Sequence, residues 1–587
     1  MKLFGRWLVS GAVALVFAVA CYPGADIVGF AIRTHEVAPS PGWLHVAHPR
    51  GGMPYIADEQ GRMVILRGVI AAGLIDYWSG NDPKLLAPPP LFAIDPAAYE
   101  GGRCPENFAT IRNPPLCQND LVEMSRLGFD VLRLGLSWSL LEPSRGRYSR
   151  QYLDRIRQVV GWARTAGLRV ILDMHQNSWG RYIGRSSLPP IPGGSVPALS
   201  DNSGAPAWAT LSWHLPSEKF LGQREENPVV GAAFTSFWIN LEEVQDHYIE
   251  GLAFLAQAFK DDSTVLGYGL FNEPWQGFFD QPYFEDLLLF PFYRRALDAL
   301  TGARDGVACP AGAPALPVCG YPDLGVHVRR QLFFVEPDHI REVTDFATHF
   351  PLPVSSYGNV VYGIHAYTHK FTLDALAGLD PSLYPFGGYD QSYDSAAAEA
   401  KAMNAALMVT EFGNETYEDS TLLANQLKAQ ERHLTGSIFW PWKENCAAAT
   451  TWGVYVGVYG EAKDQRCLYE RSSPDAAPKV QNGCLRAAKE RLLARAWPRA
   501  APAGFSYSYD PGDGSFAMRG QARAGAPEAL VYVPPEAKGE ASAGGAKLRE
   551  EAMPDGSRLL HVAVSGDYTI SVAAAPLALR GCPARSG

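Results

Sequence analysis

The feature that most restricts this chain is an alternation sustained from Gly61 to Trp440. Short apolar runs recur at Gly61–Gly68, Asp130–Gly135, Arg169–Met174, Gly267–Phe271, Leu332–Glu336, Val360–His365, Ala406–Glu411 and Gly436–Trp440. Between them lie stretches with apolar residues at helical spacing, such as Leu121, Met124 and Leu127 closing at Gly128, or Tyr152, Ile156, Val159 and Ala163 closing at Gly167. Asp120 and Glu123 have capping-box spacing ahead of the first of these helices. A run with no polar face reads as a strand buried on both sides, and such strands are parallel and covered by helices. Eight such units predict an α/β fold, a closed (β/α)8 barrel over residues 40–500. A doubly wound open sheet would call for a glycine-rich phosphate turn after the first strand, and the sequence has none there. The Pro-, Gly- and Trp-rich segment from Gln176 to His247 then decorates the barrel top, and loops of that length usually serve function.

After Trp497-Pro498 the texture changes. Phe505–Tyr509, Ala529–Val533 and Leu559–Val564 read as short strands between Gly, Pro and Asp turns, predicting a small antiparallel β-sandwich over residues 504–576. At the other end, Lys2 and Arg6 precede a largely apolar, uncharged run from Trp7 to Ala20 that closes in Ala18-Val19-Ala20. The run is short for a membrane span and reads as an export signal over residues 1–20, with a retained anchor or a lipid on Cys21 as the lesser readings. A secreted or periplasmic location is therefore expected. Eight further cysteines without a Cys-x-x-Cys pair fit disulfides in that setting better than a zinc site. Cys104 with Cys117 and Cys309 with Cys319 can staple loops, while Cys446, Cys467, Cys484 and Cys582 allow several pairings. A net charge of −10 with no basic stripe argues against nucleic acid as a partner.

In a barrel of this kind the reactive side chains sit at the carboxyl ends of the strands. That rule collects Arg133, Asp173, His175, Asn272, Glu273, His365, Tyr367, Glu411 and Trp440. Glu273 ends the fourth apolar run, where Pro274 stops the ladder, and Glu411 ends the seventh, so the two face each other across the mouth. Alone, Glu411 could be a satisfied buried carboxylate, and His175 and His365 core histidines; the pairing of carboxyls weighs against that. Two facing carboxyls beside an arginine and histidines are the apparatus of glycoside hydrolysis. One must protonate the leaving oxygen and the other must stay ionised to attack. An arginine near Glu411 favours its charged form, which makes Glu411 the expected nucleophile and Glu273 the expected acid/base, ~5–5.5 Å apart. Asn272 would hold the sugar 2-hydroxyl, Tyr367 would orient the nucleophile, His365 and His175 would orient the substrate, and Asp173 its neighbours. This chemistry requires no metal or cofactor.

Taken in barrel order, Leu132-Arg133-Leu134-Gly135, Asp173-Met174-His175-Gln176, Asn272-Glu273-Pro274, His365-Ala366-Tyr367, Thr410-Glu411-Phe412-Gly413 and Trp440 resemble glycoside hydrolase family 5 of clan A, whose members are retaining β-glycosidases. Within it, Asp173–Gln176, Gly204–Trp208, Asn272–Trp275 and the appended sandwich are most similar to endoglycoceramidases and related lipid-glycoside hydrolases. The resemblance implies cleavage of the β-linkage between a glycan and ceramide, with the aglycone in an apolar groove lined by Trp179, Trp208, Trp213, Trp275, Phe278 and Phe279. Trp440–Asn445 departs from the segment expected of endoglycoceramidases, so sterol glucosides, simple cerebrosides, β-glucan and mannan stay open as substrates, as does an inactive glycan-binding barrel. The chain is expected to act as a monomer on a glycolipid or other β-glycoside, with contact to a membrane surface left open.

Overall fold

The computed structural model describes residues 41–76, 91–105, 115–183, 203–218, 225–279, 284–303, 321–345, 347, 354–367, 389–413, 421–445, 455–457, 484–485 and 487–580. The expected export signal, Cys21, the Cys309–Cys319 pair, Cys446, Cys467 and Cys582 lie outside these residues. Cys104 and Cys117 are joined in a disulfide.

Eight strands close into an all-parallel barrel in sequence order: β1 Arg67–Ala71, β2 Val131–Leu136, β3 Arg169–Met174, β4 Val265–Gly269, β5 Leu332–Val335, β6 Val360–Ala366, β7 Ala406–Phe412 and β8 Gly436–Phe439. These are the apolar runs of the sequence, with one change at the first. Met63–Val64 pairs with Ala500–Ala501 in a separate sheet, and the chain passes from one core to the other at the next two residues. Ile65 packs in the sandwich core and Leu66 in the barrel interior. That interior layer includes Ile70, Val131, Ile171, Phe334, Met408 and Ile438, and Leu44, Val46 and Ile56 of an N-terminal hairpin pack against it. β4 is glycine-rich for a steric reason. A Cβ on Gly267 would lie 2.1 Å from the Leu332 carbonyl oxygen, and one on Gly269 would lie 2.3 Å from Asp173 Oδ1.

The helix Gln118–Arg126 starts earlier than its sequence signal. Its capping box uses Cys117 and Asp120, whose carboxylate accepts from the Cys117 N–H at 2.8 Å, in place of Asp120 and Glu123. The helices Arg150–Thr165 and Val244–Phe259 carry the periodic apolar faces expected of barrel cover. No described helix is long and apolar enough to cross a membrane.

The sandwich draws on more of the chain than residues 504–576. One sheet orders its strands Leu44–Ala47, Tyr55–Asp58, Met63–Val64, Trp497–Ala501, Ala529–Val533, Arg558–Ala563 and Lys547–Ala552. The other orders Phe505–Tyr509, Phe516–Ala522, Gly566–Val572 and Ala541–Gly544. Arg495, just before the sandwich's first C-terminal strand, makes a buried pair with Glu431, and the half-buried Arg580, held by Glu536 at 2.9 Å, reaches Glu123 of the helix Gln118–Arg126 at 3.1 Å.

Candidate active site

Arg133 points into the barrel from β2, 1% exposed, and organises the carboxyl ends of five other strands. Its Nη2 donates to Asp173 Oδ1 at 2.9 Å, Asn272 Oδ1 at 2.8 Å and Glu336 Oε1 at 2.7 Å. Its Nη1 donates to Glu411 Oε2 at 3.2 Å and to the Thr410 carbonyl at 3.1 Å. The register of β7 against β6 shifts between Val409 and Glu411, a bulge of the kind that re-aims side chains beside active sites. Glu411 is then fixed at both oxygens, since Tyr367 donates its hydroxyl to Oε1 at 2.8 Å.

Glu273 lies beyond the end of β4 with φ +45°, a left-handed conformation that a non-glycine residue adopts only when its surroundings enforce it. The enforcing contact is its own N–H, which donates to Glu336 Oε2 at 2.9 Å. Its Oε1 accepts from His365 Nδ1 at 2.9 Å, and its Oε2 is 3.7 Å from His339 Nδ1. The other nitrogen of His365 faces Glu336 Oε1 at 3.2 Å. One oxygen of Glu273, one oxygen of Glu411 and a His365 ring nitrogen all lie within 4.8 Å of one another.

Asp173, fully buried, orients its neighbours, receiving Arg133 on one oxygen and His175 Nδ1 on the other at 3.0 Å. His175 stacks flat on Trp440, ring centroids 5.5 Å apart and planes 6° apart. The Asn272 amide donates to the Gln176 carbonyl at 2.9 Å while its oxygen accepts from Arg133, which fixes its orientation and leaves the second amide hydrogen for a hydroxyl.

The sequence expectation that Arg133 keeps Glu411 ionised and leaves Glu273 protonated is not what the protein's own charges give. Burial, then the charge of Glu273, push Glu411 up to about 7 against the pull of His365 and Arg133. Burial also acts to raise Glu273, but the His365 hydrogen bond and the charges of His339 and His365 overcome it and hold it below the usual carboxylate range. Arg133 is shared between Glu411 and three other side-chain oxygens, those of Asp173, Asn272 and Glu336, with the Thr410 carbonyl besides, so its charge is divided. The two carboxyls titrate as a pair, with the resting proton favouring Glu411.

Trp179 is not at the site surface. It is 2% exposed and packs edge-on against Trp138, Phe234 and Phe237, so it belongs to the loop core. Trp275 is half-buried with its ring edge-on to His339 at 5.8 Å, which leaves it beside Glu273. Trp213 and Phe278, 43% and 51% exposed, contact each other at 5.8 Å, and Trp208 lies half-buried on Trp138. Sequence reasoning missed Glu336, His339 and Glu342. Glu336 ends a strand-like run and was findable by the rule that found Glu411; His339 and Glu342 carry no such signal.

Residues 111–279 match the pattern that describes Cellulase (glycosyl hydrolase family 5). Endoglycoceramidase I of Rhodococcus hoagii (strain 103S) is 26% identical over 336 residues, 55% of this chain and 60% of that enzyme. The chain thus spans about three-fifths of the length of that relative. A crystal structure of endogalactoceramidase superposes with a TM-score of 0.67 at 25% identity, covering 91% of this chain and 100% of that one. The fold is also that of endo-glycoceramidase II from Rhodococcus sp. in its ganglioside GM3 complex, with a TM-score of 0.64, 22% identity, and 89% and 100% of the two chains covered. The segment that matches the glycosyl hydrolase family 5 pattern runs through Glu273, and the closed eight-stranded barrel that carries it is the fold of these relatives.

Proposed function

We propose that this protein is an exported retaining β-glycosidase that cuts between a glycan and a lipid aglycone, with Glu411 as nucleophile and Glu273 as acid/base. The observation that carries the reading is the approach of the two carboxyls, with oxygens within 4.8 Å. An inverting pair stands about 6.5–9.5 Å apart to admit a water between base and sugar, and the closer approach of these two oxygens supports the retaining reading.

Glu411 attacks the anomeric carbon while Glu273 protonates the departing oxygen, and a covalent glycosyl ester forms on Glu411. Water then attacks that ester, giving a proton back to Glu273. The resting proton must first move from Glu411 to Glu273, and substrate favours that move at both ends. The electron-poor anomeric carbon stabilises the Glu411 anion, and the glycosidic oxygen accepts a hydrogen bond only from a protonated Glu273. Tyr367 and Arg133 keep both Glu411 oxygens aimed during attack. The half-buried Trp275 beside Glu273, and the exposed Trp213 and Phe278 further out, supply apolar surface for the aglycone side. The curated relative and the structural neighbour named above, both ceramide-glycoside hydrolases by name, support the lipid aglycone.

The test has two arms. A 2-deoxy-2-fluoro glycosyl fluoride should label Glu411, read by peptide mass, and labelling of another residue would overturn the assignment. Product analysis on ganglioside, glucosylceramide and soluble β-glucan should show glycan released from a glycolipid; turnover of β-glucan alone would replace the lipid reading with a polysaccharide one.

A further inference from the structure

His339 and Glu342 lie on the segment after β5, and neither belongs to the pair that does the covalent chemistry. Glu342 is 1% exposed and is shielded from any substrate. Its Oε2 is 3.2 Å from His339 Nδ1 and its Oε1 is 3.4 Å from His365 Nδ1. The same two imidazole nitrogens face Glu273, at 3.7 Å and 2.9 Å. Two carboxyls are therefore held face to face by two imidazoles, each nitrogen spanning both acids. The backbone closes the arrangement: the His339 N–H donates to the Pro274 carbonyl at 2.9 Å, and the Tyr367 N–H donates to the Glu342 carbonyl at 3.2 Å.

A second buried acid in contact with the acid/base is costly unless it does something for it, because like carboxyls at this range repel and each loses its hydration. The other charged groups facing this ring are Glu336 from β5, Glu411 from β7, Arg133 from β2 and Glu225 from the segment before the helix Pro228–Trp238. None of them replaces His339 at Glu273 Oε2.

Resting on the glycosidase reading, we propose that His339 and Glu342 are positioning residues for Glu273, holding its carboxyl toward the leaving oxygen and keeping a proton within the ring for it. The charges agree with this: burial opposes it, but Glu342 and Glu273 raise His339 to about 10, and burial with the charge of Glu273 raises Glu342. The proton count balances. In the first half-reaction one proton leaves Glu273 for the glycosidic oxygen as the carbon–oxygen bond breaks and the Glu411–carbon bond forms; in the second, the attacking water returns one. His339 and Glu342 change where protons rest and not how many there are.

The experiment compares His339→Gln and Glu342→Gln on two substrates with one shared glycone, an alkyl β-glycoside that needs acid assistance and a 2,4-dinitrophenyl β-glycoside that does not. General acid catalysis contributes about 10²–10⁴-fold, so kcat/KM for the alkyl glycoside should fall at least ~10-fold further than for the aryl glycoside. Equal losses on both substrates, or no loss on the alkyl glycoside, would overturn the proposal. Turnover of the aryl glycoside reports that each variant is folded, and His339, 23% exposed, is the milder of the two changes. Fluorosugar labelling of the wild type separates the two claims: if Glu411 is not labelled, the glycosidase mechanism falls first and this inference with it.

Discussion

Replacing Tyr367 by Phe removes one hydroxyl and leaves the ring in place. The lost contact is the 2.8 Å hydrogen bond to Glu411 Oε1. Hydrogen bonds to charged groups contribute about 1.5–3 kcal/mol, and Arg133 still holds Oε2, so the lower end applies. At about 1.4 kcal/mol per tenfold, that is about a tenfold fall in kcat/KM and about one pH unit in the ionisation of Glu411. The sign follows from which form the hydroxyl serves. It donates to the carboxylate, so its loss raises Glu411 further above the value of about 7 that burial and Glu273 already give it. The nucleophile works ionised, so activity is lost as pH falls through its pKa, and the acid limb of the profile should move to higher pH. The assay is the pH dependence of kcat/KM on a 2,4-dinitrophenyl β-glycoside, where acid assistance by Glu273 is not needed and the acid limb reports Glu411. An acid limb that stays in place or moves to lower pH would refute the argument, since the Tyr367 contact would then be serving the neutral acid or nothing.

Other outcomes follow from the same geometry. Glu273→Ala should be rescued by azide on activated substrates, yielding the β-glycosyl azide, because a small anion can enter the space of the lost carboxyl without acid help; absence of that product would remove Glu273 as acid/base. Glu411→Gln should abolish turnover yet raise Tm, and more at pH 8 than at pH 5. The stability that a protonated Glu411 gives is complete below the ordinary glutamate value and is lost as pH rises through about 7, whereas the amide has no proton to lose. An unchanged or lower Tm at pH 8 would show that the carboxylate is better solvated than its burial implies. Trp179→Ala should cost about 3–5 kcal/mol of stability measured by denaturant unfolding, as a cavity among Trp138, Phe234 and Phe237, while Trp275→Ala should chiefly raise KM for a glycolipid.

The barrel was legible because its signal is redundant: each strand is a short run without a polar face, and each is followed by a helical period. The strand-end residues came with it, since position in the barrel is enough to predict that Arg133, Glu273 and Glu411 converge. What the sequence left hidden depends on contacts that no period encodes. The N-terminal strands Leu44–Ala47 and Tyr55–Asp58 are four residues each, and nothing near them announces that their sheet is completed by Trp497–Ala501, far along the chain. Trp179, expected to line an apolar groove for the aglycone, instead packs with Trp138, Phe234 and Phe237 in an aromatic core, a contact set that no sequence period encodes. His339 and Glu342 reach Glu273 only because that residue turns to φ +45° and Pro274 accepts the His339 N–H.

The charge balance explains why the roles proposed for Glu273 and Glu411 do not follow from resting protonation. Asp173 and Glu336 pair with Arg133, and Glu273 with His365 and His339. The acids around them raise both imidazoles above the ordinary range, and the two remaining acids, Glu411 and Glu342, are the ones whose burial favours the neutral form. In the proposed reaction the proton that favours Glu411 at rest serves the first step after a transfer to Glu273, the two residues having one oxygen each within 4.8 Å. An assignment based on which carboxyl rests protonated would choose Glu411 as the acid, but the geometry opposes it. Glu411 is gripped at both oxygens by Tyr367 and Arg133, as an attacking group must be, while Glu273 sits on a loop against a ring that can hold or release its proton.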